Sequence, residues 1–136
     1  MIKIQDNCDG ISAGMLNGFF NGWKVYPTPE KLLLVLENSE YKVIAVDVET
    51  NKVIGFINAV SDGVLSAYIP LLEVLTEYQG KGIGSALVKR MLEHLKEHYM
   101  IDVVCDESVQ KFYERFGLKK HTARILRNYD KQEGIK

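Results

Sequence analysis

Cysteine is scarce in this chain. Cys8 and Cys105 are the only two, far apart in sequence, so a disulfide framework is excluded and two free thiols in a reducing compartment are expected. Long apolar runs are missing: none approaches the roughly 18 residues that a membrane-spanning helix needs. The opening Met-Ile-Lys-Ile-Gln-Asp-Asn has no apolar core of the secretory type, and a cytoplasmic protein without a membrane partner is the expectation. A surplus of charge is missing too. Seventeen Lys and Arg stand against eighteen Asp and Glu, a net charge of -1, whereas a dedicated nucleic-acid binder usually carries a basic excess. Repeats, low-complexity tracts and linkers are absent, so residues 1–136 read as one domain. What is present is ordinary globular material, 46% hydrophobic and 26% charged, enough to bury a core and to set disorder aside.

Periodicity divides the chain into elements. Met1 to Gln5 alternates as a short strand does. Asp9 to Gly22 places Ile11, Met15, Leu16 and Phe19 at helical spacing among four glycines, a short or broken helix. Thr28 as N-cap and Pro29 at the first helical position open a helix that ends near Asn38. Tyr41 to Asp47 and Val53 to Val60 read as a hairpin, and a third strand runs from about Ser66 to Leu75. The helix from Ile83 to about His98 has Leu87, Val88, Met91, Leu92, Leu95 and Tyr99 on one stripe. Met100 to Cys105 is the next strand, parallel to the one before the helix, as a right-handed βαβ unit requires. Ser108 to Phe116 is a last helix stopped by Gly117, and Lys120 to Tyr129 a last strand. The order is β-α-α-β-β-β-α-β-α-β: an α/β domain, of α+β type, on one mixed sheet.

The most informative stretch is Gln79-Gly80-Lys81-Gly82-Ile83-Gly84-Ser85, between strand and helix. Three positions without a Cβ let backbone approach a ligand, and a helix start supplies unpaired N–H groups and partial positive charge, which suits phosphate. Ser85 adds a hydroxyl and Lys81 a cation, although a solvated lysine beside a turn fits Lys81 equally well. A nucleotide P-loop needs G-x-x-x-x-G-K-[ST]; here the lysine precedes the second glycine. A dinucleotide fingerprint needs G-x-G-x-x-G, and the spacing is G-x-G-x-G. The bland reading is a glycine turn that lets strand and helix pack closely.

Two separated blocks favour a ligand. Gln79-x-x-Gly82-x-Gly84 resembles the acyl-coenzyme A signature [Q/R]-x-x-G-x-[G/A] of the GCN5-related N-acetyltransferases. Val109-Gln110-Lys111-Phe112-Tyr113-Glu114-Arg115-Phe116-Gly117-Leu118 resembles their later A-x-x-x-Y-x-x-x-G-[F/L] segment. The interval of one helix and one strand suits the same family. The resemblance implies a central mixed sheet with a splayed parallel strand pair and flanking helices. In the splay, the pantetheine arm of acetyl-coenzyme A would pair with the backbone of Glu73, Val74 and Leu75. Its pyrophosphate would rest on the amides of Gln79, Gly80, Lys81, Gly82, Ile83, Gly84 and Ser85.

The reaction so implied is transfer of an acetyl group to a primary amine by direct attack, without a covalent enzyme intermediate. It needs a neutral amine, a donor to the thioester oxygen and a proton donor for the leaving thiolate. Tyr113 matches the family tyrosine that faces the sulfur, and a phenol with the usual pKa of about 10 is protonated at neutral pH; its alternative is a packed aromatic beside Phe112 and Phe116. The Val74 N–H would serve the oxyanion. Glu73 has two readings: catalytic base or amine anchor, and a residue on a solvated strand face. Asp106 and Val109 depart from the family's usual asparagine and alanine, and Thr76 from a frequent proline. Asp106 would either cap the last helix or repel a ligand phosphate.

No metal is expected. His94 and His98, four apart on one helix, lack the glutamate of H-E-x-x-H. Cys105 reads as core rather than nucleophile. Lys119, Lys120, His121, Arg124 and Arg127 read either as a contact for the coenzyme's 3′-phosphate or as a solvated surface. Phe19, Phe20, Trp23, Tyr26 and Tyr129 read either as an aromatic acceptor pocket or as core. The expected partner is a small-molecule amine, with a protein or peptide amine, or a silent coenzyme-binding module, as alternatives. A homodimer is compatible with the chain.

Overall fold

The computed structural model describes residues 1–135. Strands β1 (Ile2–Gln5), β2 (Tyr41–Asp47), β3 (Lys52–Ser61), β4 (Ser66–Ile69), β5 (Leu72–Val74) and β6 (Met100–Val103) combine with helices α1 (Pro29–Asn38), between β1 and β2, α2 (Ile83–Leu95), between β5 and β6, and α3 (Gln110–Glu114), after β6. The sheet runs β1-β2-β3-β4-β6, with β5 also paired to β3. Every pair is antiparallel except β4–β6, which runs parallel from Ser66 opposite Met100 to Ile69 opposite Val103. This is the expected mixed sheet with its crossover helix.

Strand β3 is the spine. Val53, Ile54, Phe56, Ile57 and Ala59 are wholly buried, as a strand covered on both faces must be. On one face Gly55 lets α2 come close: a Cβ there would stand 3.3 Å from Leu87 and from Val74. On the other, Phe56 meets Phe19 edge-to-face at 5.0 Å. Leu87, Val88, Met91 and Leu95 of α2 are fully buried, each contributing about 1.5–3 kcal/mol by its removal from water. Thr28 caps α1 as expected, its hydroxyl accepting from the Lys31 N–H at 3.2 Å.

Three expectations are corrected. The strand anticipated over 66–75 is two strands, because Pro70 has no N–H for a ladder and the chain steps sideways at Leu71. Asn58, buried beneath the step, accepts from the Leu71 N–H at 3.1 Å, and its own N–H reaches the Leu71 carbonyl at 3.2 Å. Its side-chain amide also donates to Ser39 Oγ at 2.9 Å. The segment 9–22 makes only one 3-10 turn, Ala13–Met15; left-handed backbone at Gly10, Gly18, Phe20 and Gly22 stops any longer helix. The last strand expected at Lys120 to Tyr129 does not form: residues 119–131 are exposed and join no strand. Strand structure requires a partner, and among the described residues β6 pairs only with β4.

Candidate active site

After Ile69 and Val103 the parallel pair parts. Strand β5 stays with β3, while the chain after β6 turns toward α3, and a cleft of about 820 Å³ opens between them. Its walls are Pro70 to Val74 on one side, Val103 to Asp106 and Tyr113 on the other, the glycine loop at one end, and Phe20 and Trp23 at the other side.

The ladder decides which backbone groups face this cleft. Asn58 N–H bonds to the Leu71 carbonyl and the Leu75 N–H bonds to the Ile54 carbonyl at 2.9 Å. Antiparallel alternation therefore turns residues 71, 73 and 75 toward β3 and leaves Leu72 and Val74 facing away from it. Of Glu73, Val74 and Leu75, the three residues expected to offer backbone to a ligand, Val74 alone presents its amide to the gap. Leu75 has both groups occupied, since its carbonyl accepts from Tyr78 N–H at 2.9 Å. The Val74 carbonyl accepts from Gln79 Nε2 at 2.9 Å, so the side chain of the motif glutamine braces the strand end.

Gly80 and Gly82 have φ of 78° and 82°, a region that a side chain resists, so the loop's path depends on them. Gly82 is the N-cap of α2 and has no side chain to cap it. The helix's own ladder begins with Ala86 N–H to the Gly82 carbonyl, so the N–H groups of Ile83, Gly84 and Ser85 lie ahead of it at the positive end of the dipole. Gly84 is different: a Cβ there would meet Phe112 at 3.7 Å and Val74 at 3.9 Å, ordinary contacts, which gives the physical reason that alanine also satisfies this motif position. Tyr78 fastens the loop from below by donating to Asp47 Oδ2 at 2.7 Å. That bond holds the Asp47 carboxyl below, and the Tyr78 phenol above, their ordinary ranges. Lys81 lies over the Tyr78 ring, 5.5 Å from its centre.

A cation overlooked in the sequence stands here. Arg115 Nη2 donates to Ser85 Oγ at 2.8 Å, and its guanidinium lies 5.2 Å and 5.5 Å from the Phe112 and Phe116 ring centres. One turn of helix after Phe112 was the available signal; the contact with α2 was not. The five basic residues from Lys119 to Arg127 lie elsewhere. Lys119, Lys120 and His121 line a second groove, of about 870 Å³, and none of the five lines the cleft.

Tyr113 is 7% exposed and lies between the two grooves. Burial, reinforced by nearby Cys105, pushes its phenol up to about 12. The hydroxyl therefore keeps its proton through the whole physiological range. Asp106 lines the cleft but makes no side-chain cap to the following turn, so the capping alternative falls. Burial raises the Cys105 thiol, which suits a packed side chain.

Glu73 is the carboxylate of the strand, and both its oxygens are engaged. Oε1 accepts from the Phe20 N–H at 2.8 Å and Oε2 from the Asn21 N–H at 3.2 Å. The two histidines expected on one helix are drawn apart, for α2 ends at Leu95 and leaves His98 beyond it: His94 reaches Asp6 Oδ1 at 3.3 Å, His98 reaches Ser61 Oγ at 3.0 Å, and Tyr41 lies against both rings. Among the described residues no group of three or more His, Cys, Asp and Glu is placed to hold a metal ion.

A family model for the Acetyltransferase (GNAT) family matches residues 13–118, which include the β3–β5 ladder, the glycine loop and Tyr113. The chain belongs to the GNAT family. A crystal structure from Deinococcus radiodurans R1, of a protein provisionally described as an acetyltransferase, is 46% identical and superposes with a TM-score of 0.96. That match covers 99% of this chain and 94% of the other. The GNAT family protein SP0256 from Streptococcus pneumoniae TIGR4 is 29% identical with a TM-score of 0.71, over 94% of this chain and 98% of that one. The uncharacterized N-acetyltransferase ycf52 of Pyropia yezoensis is 25% identical over 124 residues, 88% of this chain. The chain spans 65% of the length of that curated relative, and 28% of a second, the chloroplastic GCN5-related N-acetyltransferase 2 of Arabidopsis thaliana. Among the described residues no helix is long and apolar enough to cross a membrane.

Proposed function

We propose that this GNAT chain transfers an acetyl group from acetyl-coenzyme A to the primary amine of a small molecule by direct attack. The observation that carries the reading is the parting of the parallel pair beyond Ile69 and Val103, where β5 stays with β3. Among the described residues it leaves the Val74 N–H without a strand partner, beside a loop of left-handed glycines at a helix N-terminus. A long amide-bearing arm with a pyrophosphate at its end fits those two features together, and neither feature alone asks for it.

In this reading the amides of the loop from Gly80 to Ser85 hold the pyrophosphate, with Arg115 and Lys81 as the neighbouring cations; the Gln79 N–H, expected among them, is taken by the Thr76 carbonyl at 3.2 Å. The Val74 N–H stabilises charge on the carbonyl oxygen that is attacked. Coenzyme A supplies the activated acyl group as a thioester. Tyr113 donates a proton to the sulfur as the C–S bond breaks, and the proton shed by the attacking amine as the C–N bond forms passes to solvent, from which the phenol is reprotonated. The wall of Phe20, Trp23, Leu71 and Leu72 suits an amine carried on an apolar body. Titration calorimetry with acetyl-coenzyme A tests the coenzyme reading, with binding in the micromolar range expected. An amine panel followed by thiol release tests the transfer. Absence of heat at any coenzyme concentration overturns the proposal; heat without thiol release across the panel leaves a coenzyme-binding module and overturns the enzyme.

A further inference from the structure

The carboxylate that β5 carries into the cleft wall is not free. Glu73 lies opposite Phe56 in the ladder, so its side chain projects to the face where Phe19 packs. There it receives two consecutive backbone N–H groups, one on each oxygen. Phe20, the first of these donors, has a φ of 67°. A bulky residue holds left-handed backbone only where its surroundings over-determine it. Two successive N–H groups turned to one side by such a residue form an anion nest, and the anion in this nest is Glu73.

The nest sets the acceptor wall. With its backbone held so, Phe20 is 5% exposed, its ring centre 4.8 Å from that of Trp23 and 6.4 Å from that of Tyr26. Phe20 and Trp23 both border the cleft beside Leu72 and Glu73. We infer that Glu73 is a positioning residue. It latches the 18–23 loop to β5 and so shapes the side of the cleft where the amine enters, rather than taking the amine's proton. Protonating the carboxylate would weaken at least one of its two charge-assisted bonds and release the wall at the moment the acceptor must be held. The role of the wall as acceptor site rests on the transferase reading; the latch does not.

Trp23 is the only tryptophan of the chain, so its fluorescence reports the latch in the protein without any coenzyme. Glu73→Ala removes both acceptors, and Glu73→Gln keeps one and sets an NH2 against the other N–H. Acrylamide quenching of Trp23 is expected to rise in both variants, more in Glu73→Ala. Exchange of the Phe20 and Asn21 amides is expected to quicken by about tenfold or more, the scale of one lost charge-assisted bond. In turnover the amine KM should rise by a similar factor. The KM for acetyl-coenzyme A and the shape of the pH–rate profile should stay as in the unaltered protein.

Unchanged quenching and exchange, together with a collapsed kcat and a vanished acid limb of the profile, would establish Glu73 as the base and overturn the latch. Should a variant not fold, amide exchange on the unaltered protein still decides: Phe20 and Asn21 exchanging at the rate of an open chain removes the latch. None of the optical or exchange measurements needs coenzyme, so failure of the latch and failure of the transferase reading are told apart.

Discussion

Tyr113 illustrates how a single side chain gains its chemistry from its surroundings. A free phenol ionises near pH 10, and burial moves this one to about 12. A group so held keeps its proton throughout the physiological range. Replacing it with phenylalanine keeps the ring packed against Phe112, whose centre is 5.2 Å away, and removes only the hydroxyl. Tyr113→Phe is expected to lower kcat by about a hundredfold or more, the usual scale for a lost general acid, with the KM for acetyl-coenzyme A little changed. The sign of the pH effect follows from the raised value. Any fall in rate between pH 8 and pH 10 belongs to another group, so the unaltered protein and the variant should show the same alkaline limb in steady-state assays. Glu73 and Arg115 show the converse: their partners, Phe20, Asn21 and Ser85, come from remote parts of the chain, and neither role is visible in a local motif.

Among the elements, the loop from Gln79 to Ser85 separates glycines needed for conformation from one needed for space. Gly82 caps α2 at a φ of 82°, where an alanine costs about 1–2 kcal/mol. Gly84 lies inside the helix with room for a methyl group, and alanine has the better helix propensity. Gly82→Ala should therefore lower the unfolding midpoint in thermal melts and weaken acetyl-coenzyme A binding in calorimetry, while Gly84→Ala should leave the melt unchanged or raise it slightly. A Gly82→Ala protein that binds as tightly as its parent would refute the conformational account of this loop. The broken strand β4–β5 makes the same point. Its step at Pro70 and Leu71 parts the sheet, and the buried Asn58 satisfies the backbone that the step leaves without a partner.

For the molecule as a whole, one charged cluster ties the first strand to the central helix. Asp6 Oδ2 receives Arg90 Nη2 at 2.8 Å, and Asp6 Oδ1 faces His94. Burial raises the Asp6 carboxyl, but the bond from Arg90 and the nearby His94 ring outweigh it and hold the carboxyl below its ordinary range. A depressed carboxylate adds stability that is present above its unfolded value and is lost as pH falls through the folded one. Asp6→Asn should cost about 1 kcal/mol at neutral pH, discounted for a partly exposed pair. In urea titrations the gap between variant and parent should close below pH 4; a gap that persists there would show that packing, not charge, explains the loss.

Local patterns sufficed for much of this protein. The N-cap of α1, the apolar stripe of α2 from Leu87 to Leu95, the βαβ order and the two blocks around Gln79 and Tyr113 all depend on neighbours in sequence, because helix periodicity, turn conformation and motif spacing are short-range properties; Tyr99, expected on that stripe, lies beyond the helix and is exposed. Lys120 to Tyr129, expected as a strand, forms none, since a strand is stable only against a partner. What contacts between distant segments settled is finer and closer to the chemistry: which of residues 73 to 75 turns its amide into the cleft, which cation reaches Ser85, and what the Glu73 carboxylate holds. Ladder register and side-chain partners are set by how the sheet parts and where the loop from Gly18 to Trp23 lands, and those are long-range consequences of burying one shared core.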